Sequence, residues 1–209
     1  MAAIADLLSD WFDSHGREFL WRNTDNSFHI LLAEIMLRRT TSTHVDNIFE
    51  DFIAKYSTPE SILHADEGEI LEYLEPLGLQ HQRYRTLMNV CSALICEYNG
   101  SVPTDASELM NIDGIGEYTA NATLSFSQGQ RHKIVDSNVI RIFSRLYDID
   151  DRFAIEQKVE DVLPEKDHVK FNMALLDLGA LICLPQYPKC HECPIVTECK
   201  TGNKILSDS

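Results

Sequence analysis

The chain has 209 residues, enough to bury a substantial core as one large domain or two small ones, and its 18 Lys and Arg against 33 Asp and Glu leave a formal net charge of −15. That balance excludes a surface that is basic throughout, the usual footprint of a phosphate-coating protein, so any nucleic-acid function must rest on where charge is placed. No apolar leader preceded by basic residues opens the chain, and the one long apolar stretch, Met173 to Cys183, is broken by Asp177 and too short for a bilayer, which predicts a soluble cytoplasmic protein with no membrane partner.

Taken in order, the sequence reads as helices. Phe28, Leu31, Leu32 and Ile35 recur at the i, i+3, i+4, i+7 spacing of an amphipathic helix, and Leu87, Val90, Cys91, Leu94 and Tyr98 repeat it. Between them the acidic block Asp46 to Glu75 predicts a solvated face, as does a second block from Asp148 to Asp167. Breakers cluster at Asn99-Gly100, Pro103 and Gly114-Ile115-Gly116. No stretch sustains the period-two alternation of a strand, so the expected fold class is all-α.

Leu109 to Ala120 is the first motif with chemical content. A helix beginning near Asp105, with Glu108 three residues on as a capping-box partner, is broken by Gly114 and Gly116 and followed by a second helix. Two glycines there allow a tight turn and expose successive N–H groups at a helix N-terminus, a nest that holds phosphate without side-chain charge. Such a turn is also an ordinary packing corner between helices. Further on, in Lys133 to Ile142, the pattern turns helical after Val135 and puts Asp136 at an N-cap. Phe171 to Ile182 is apolar nearly all round, predicting a buried helix in which Asp177 needs a partner.

Cys183, Cys190, Cys193 and Cys199 follow in the order C-x6-C-x2-C-x5-C. Four soft sulfur ligands in so short a span suit a structural zinc or a 4Fe–4S cluster. Zinc ribbons usually present two close pairs, whereas here one close pair is flanked by two single cysteines.

The cysteine order, the Gly114/Gly116 hairpin and an Asp about twenty residues after it occur together and in sequence. This combination resembles the helix-hairpin-helix DNA glycosylases of the endonuclease III type, over roughly Trp21 to Cys199. The resemblance implies a 4Fe–4S cluster on the four cysteines, a six-helix barrel over 22–132 with its hairpin at about 105–128, and a second helical domain from 1–21 and 133–209. DNA is expected across the cleft between them. It also implies double-stranded DNA containing a mismatch as partner, handled by a monomer. Asp136 is the expected catalytic carboxylate, which stabilises an oxocarbenium ion and orients or deprotonates water. Glu34-Ile35-Met36-Leu37-Arg38-Arg39-Thr40-Thr41 and Leu77-Gly78-Leu79-Gln80-His81-Gln82-Arg83 match the stretches that plug the gap left by a flipped base. Arg38 and Leu79 become the expected wedges. Arg39, Gln80, Gly114, Gly116, Asn138 and Lys189 are expected at the DNA, with Arg83 and Arg141 as further phosphate contacts.

Where bifunctional relatives carry a lysine that forms a Schiff base, this sequence has Tyr118, so the resemblance implies a monofunctional enzyme. Leu37 to Thr41, Gly116 to Thr119, Gly78 to Arg83 and an ending just after the cysteine loop resemble the archaeal-type mismatch thymine glycosylases. In these Tyr118 would meet the flipped pyrimidine. The alternative is an adenine glycosylase acting on adenine opposite guanine or 8-oxoguanine, suggested by Ala33 to Leu37, in which Glu34 protonates the leaving base. A third possibility, of a different class, is a non-catalytic iron–sulfur DNA sensor. Two carboxylates facing a phosphate-rich ligand argue against it.

Overall fold

The computed structural model of the chain describes residues 2–207. In chain order its helices are α1 (Ala2–His15), α2 (Ser27–Met36), α3 (Ser42–Lys55), α4 (Pro59–Leu63), α5 (Glu67–Leu74), α6 (Gln80–Tyr98), α7 (Ala106–Asn111), α8 (Glu117–Gln128), α9 (Ser137–Tyr147), α10 (Arg152–Val162), α11 (His168–Leu181) and α12 (Lys200–Ser207). Among the described residues there is no strand, as the missing alternation leads one to expect. None of these helices is long and apolar enough to cross a membrane.

The chain divides into a central unit, Glu18–Gln130, and a terminal unit made of Met1–Arg17 and Arg131–Ser209. In the central unit α2 is buried on nearly every side, packed by α6 and α8. Its Leu31, Leu32 and Ile35 join Phe49, Phe52, Leu87, Val90 and Leu94 in one core. Helix ends are set by short polar side chains. Asn26 accepts from Phe28 N and His29 N, Thr58 and Ser61 close a capping box behind Pro59, and Asp66 and Asp105 cap α5 and α7. Asn99 closes α6 in the left-handed region, and Gly100 N then donates to Leu94 O at 2.8 Å.

The terminal unit is built around α11, which packs on α1 and α9. Leu8, Phe143, Phe171, Leu175 and Leu178 form its core. Asp177, fully buried in this apolar helix, finds its partner in Arg17: Oδ1 accepts from Nε at 2.8 Å and lies 2.7 Å from Nη2, while Oδ2 accepts from the Arg17 backbone N–H at 2.7 Å. A buried carboxylate is tolerable only when paired and hydrogen-bonded, so this contact fastens the end of the first segment of the unit to the second.

Candidate functional site

In the central unit the last turn of α2 delivers Glu34 into a buried position, and the chain then leaves the helix through Leu37, Arg38 and Arg39. Arg38 turns back into the unit, where its Nη2 donates to the carbonyl of Gly114 and to Thr119 Oγ1. Burial pushes its pKa down, opposed by the nearby charge of Glu34. Arg39, next along, is exposed and takes a left-handed conformation with φ of 52°. The second expected wedge has the same local geometry: Leu79, between Gly78 and α6, has φ of 55° and remains 47% exposed. A β-carbon makes that conformation unfavourable by about 1–2 kcal/mol, so two such residues are a feature to be explained. Both line an open cavity of about 340 Å³ together with Ile35, Arg38, Gln82, Arg83 and Thr86. Gln80 sits half-buried in the first turn of α6, and the α6 glutamine on the cavity wall is Gln82.

Arg83, expected to reach phosphate, is turned inward. It is 4% exposed and donates to five backbone carbonyls: Nε to Gly78 at 2.8 Å, Nη1 to Ile35 and Met36 at 2.9 Å each, and Nη2 to Leu77 at 3.3 Å and to Arg38. Burial, then the charge of Arg38, lowers its pKa. Nothing in its sequence neighbourhood distinguishes this arginine from the exposed Arg85 two positions on.

The hairpin joins α7 to α8. Gly114 has φ of 93°, and a β-carbon there would meet Thr86 Cγ2 at 3.0 Å. Gly116 differs: its φ is −99°, a β-carbon would find nothing within 4 Å, and it starts α8 without any side-chain cap. Only the first glycine is therefore demanded by the protein's own backbone. Asp113, a negative charge beside this turn, accepts from Asn89 Nδ2 at 2.9 Å. Tyr118 lies half-buried in the first turn of α8.

In the terminal unit Asp136 caps α9, with Oδ1 accepting from Val139 N at 2.8 Å and Oδ2 from Asn138 Nδ2 at 2.7 Å. Asn138 in turn accepts from Arg141 Nη2 at 2.7 Å, which fixes the orientation of its amide. The same guanidinium donates to Gly179 O at 2.8 Å and, through Nε, to Cys183 O at 2.7 Å. Asn138 and Arg141, both expected to face DNA, are thus engaged with Asp136 and with the end of α11.

Cys183, Cys190, Cys193 and Cys199 line one cavity with Arg145, Ile182, Pro188, Val196 and Gly202. The sulfurs receive hydrogen bonds, from Arg145 Nη1 to Cys183 at 3.4 Å and from Gly202 N to Cys199 at 3.2 Å, the surroundings of an anionic ligand. Burial and the neighbouring thiols push the Cys193 thiol up to about 11 and raise that of Cys190, so ionisation there calls for a cation. No group of three or more His, Cys, Asp or Glu among the described residues is arranged to hold a metal ion. The thiols share a cavity without closing on one ion-sized point. Arg145 also donates to Leu184 O at 2.7 Å and Pro185 O at 2.9 Å, and so shapes the loop that carries Lys189. Lys189 is half-exposed with Glu192 at 4.0 Å; nearby Tyr187 is 90% exposed with φ of 51°, a feature that nothing in the sequence signals.

An all-helical frame that presents an uncapped glycine turn at a helix N-terminus, followed by a hydrogen-bonded aspartate at the start of the next helix, is that of the helix-hairpin-helix DNA repair proteins. The family profile described as HhH-GPD superfamily base excision DNA repair protein matches residues 32–165, and the chain belongs to that family. It is 32% identical, over 207 residues, to the thymine/uracil-DNA glycosylase of Methanothermobacter thermautotrophicus, covering 96% of this chain and 93% of that protein. A solved thermostable thymine-DNA glycosylase superposes with a TM-score of 0.89 at 31% identity, over 96% of this chain and 95% of that one. An endonuclease III trapped with DNA as a covalent intermediate gives 0.84 at 27% identity, over 97% and 95%, and the fold is of the endonuclease III type.

Proposed function

We propose that this protein is a DNA glycosylase of base excision repair that hydrolyses the N-glycosidic bond of thymine, or uracil, mispaired with guanine. The observation that carries the target base is likeness to a thymine/uracil-DNA glycosylase along nearly the whole of both chains. The chemistry follows from the residues. Base excision requires the nucleotide to leave the stack, and apolar or cationic side chains fill the gap. Leu79 and Arg39, exposed and left-handed beside one cavity, suit that task; Arg38, engaged with the hairpin, suits the support of Arg39 better than insertion. Gly116 offers its backbone to a phosphate, since a residue with free space for a side chain yet lacking one leaves room for a close approach.

Asp136 supplies a fixed carboxylate. Held by Val139 N and Asn138 Nδ2, it stabilises positive charge developing on the sugar and orients a water whose oxygen bonds to C1′ as the bond to the base breaks. The water's proton passes to the carboxylate, and the pyrimidine departs as an anion stabilised by its carbonyls. Tyr118 packs on the flipped base, and Glu34 orders the water or the base. Without a lysine at position 118 no Schiff base forms, so the enzyme is monofunctional and leaves an intact abasic strand.

The four cysteines fit a 4Fe–4S cluster by sulfur chemistry, by the hydrogen bonds donated to Cys183 and Cys199, and by lining one shared cavity. When bound, the cluster would fasten the loop that carries Lys189 to the backbone of DNA and take no part in breaking the base–sugar bond. The substrate partner is mismatched double-stranded DNA, bound by one copy of the chain.

A single-turnover assay on duplexes holding T, U or A opposite G, and A opposite 8-oxoguanine, read with and without alkali, tests this reading. Pyrimidine release opposite G, with breaks only after alkali, is expected, and Asp136→Asn should abolish it while DNA binding persists. Preferential adenine release would move the protein to the adenine glycosylase reading, with Glu34 as general acid. Binding without release from any duplex would make it a sensor.

A further inference from the structure

We infer that Arg83 is the positioning residue that locks the Arg39 and Leu79 loops to each other, so that the two insert into DNA as one wedge; this rests on the glycosylase reading above. Its acceptors divide into two sets. Ile35, Met36 and Arg38 precede Arg39, and Leu77 and Gly78 precede Leu79. The first set belongs to the C-terminal end of α2, whose last carbonyls have no partner within the helix. The second ends the short 3-10 turn Glu75–Leu77 that leads into α6. Neither loop is held by sequence-local bonds alone: each ends in an exposed residue in the left-handed region, at 52° and 55°, where a β-carbon is disfavoured and the surrounding structure must impose the conformation.

Guanidinium geometry accounts for the choice of residue. Five N–H donors in a rigid planar fork reach five carbonyls on two segments at once, whereas a lysine ammonium offers three donors from a single atom. The side chain is buried and its N–H groups go to backbone carbonyls. It lines the same cavity as Arg39 and Leu79.

The test uses full-length Arg83→Lys, Leu79→Ala and the double variant, on a G·T duplex with 2-aminopurine beside the mismatch, whose fluorescence rises when a wedge unstacks it. Arg83→Lys is expected to remain folded by circular dichroism and to bind duplex within about threefold of wild type. It should lose most of the fluorescence rise and slow single-turnover release by about tenfold or more, as displaced groups do. The double variant should be no worse than Leu79→Ala alone, because the two act through one wedge. A normal fluorescence rise in Arg83→Lys, or additive losses in the double variant, would overturn the proposal. Should Arg83→Lys fail to fold, Gly78→Ala strains the Leu79 loop at φ of 71° while keeping the guanidinium. Its loss must then be non-additive with that of Arg39→Ala, and additivity would overturn the brace. A fluorescence rise that depends on Arg83 in a wild type that releases no base would keep the brace and remove the glycosylase reading; release with a rise indifferent to Arg83 would do the reverse.

Discussion

Asn138 holds Asp136 by a 2.7 Å hydrogen bond from its Nδ2 to the carboxylate Oδ2, and Asn138 is itself pressed against Gly179 of α11, where an added β-carbon would stand 2.5 Å from the Asn138 Cβ. The aspartate proposed to meet the sugar is therefore aligned by packing from a helix that carries no reacting group.

Gly179→Ala tests that alignment. The helix cannot take the methyl group without moving Asn138, an overpacking that costs about 1–3 kcal/mol. Single-turnover base release should fall by at least about tenfold, and Asn138→Ala should show the same loss with a smaller change in melting temperature.

The two hairpin glycines should separate stability from DNA affinity. Gly114→Ala must adopt φ of 93° and meet Thr86, so it should lower thermal stability by about 1–2 kcal/mol. Gly116→Ala has open space and an ordinary φ, so its melting temperature should stay close to wild type while duplex affinity drops, measured by fluorescence anisotropy.

Arg17→Ala should expose what the buried ion pair contributes. With Asp177 fully buried, loss of the guanidinium removes its ion-pair partner, a break that costs about 3–5 kcal/mol. The melting temperature should fall by roughly 6–20 °C, and Asp177→Asn in the Arg17→Ala background should recover part of it.

Metal analysis of the protein purified without oxygen should find iron and acid-labile sulfide in about equal amounts, near four of each per chain, with a brown colour. Zinc alone at one per chain would assign the cysteines to a structural zinc site. Cys193→Ser should reduce iron content and loosen the Cys183–Cys199 loop, seen as faster proteolysis there.

Much of this protein is legible before folding is considered. The cysteine order, the glycine turn and the capping Asp136 are short-range patterns whose chemistry depends on residue type and spacing. The helices at Phe28–Ile35 and Leu87–Tyr98 follow from apolar periodicity, and the need of Asp177 for a partner follows from one charge in an apolar helix.

What the tertiary structure decided is which arginine does what. The sequence points Arg38 to the gap left by a flipped base and Arg83 and Arg141 to phosphate, and it assigns Arg17 no role. The partners of Arg17, Arg38, Arg83 and Arg141 lie 160, 76, 48 and 42 residues away: a buried carboxylate, a hairpin carbonyl, the end of α2 and the carbonyl of Cys183. A guanidinium has no local conformational signature, because its long side chain satisfies whatever acceptors the fold leaves open. The resemblance already points to Arg39 and Leu79, but their left-handed backbone is visible only in three dimensions, since such a conformation in a residue with a β-carbon is imposed by its surroundings and not by its own preference.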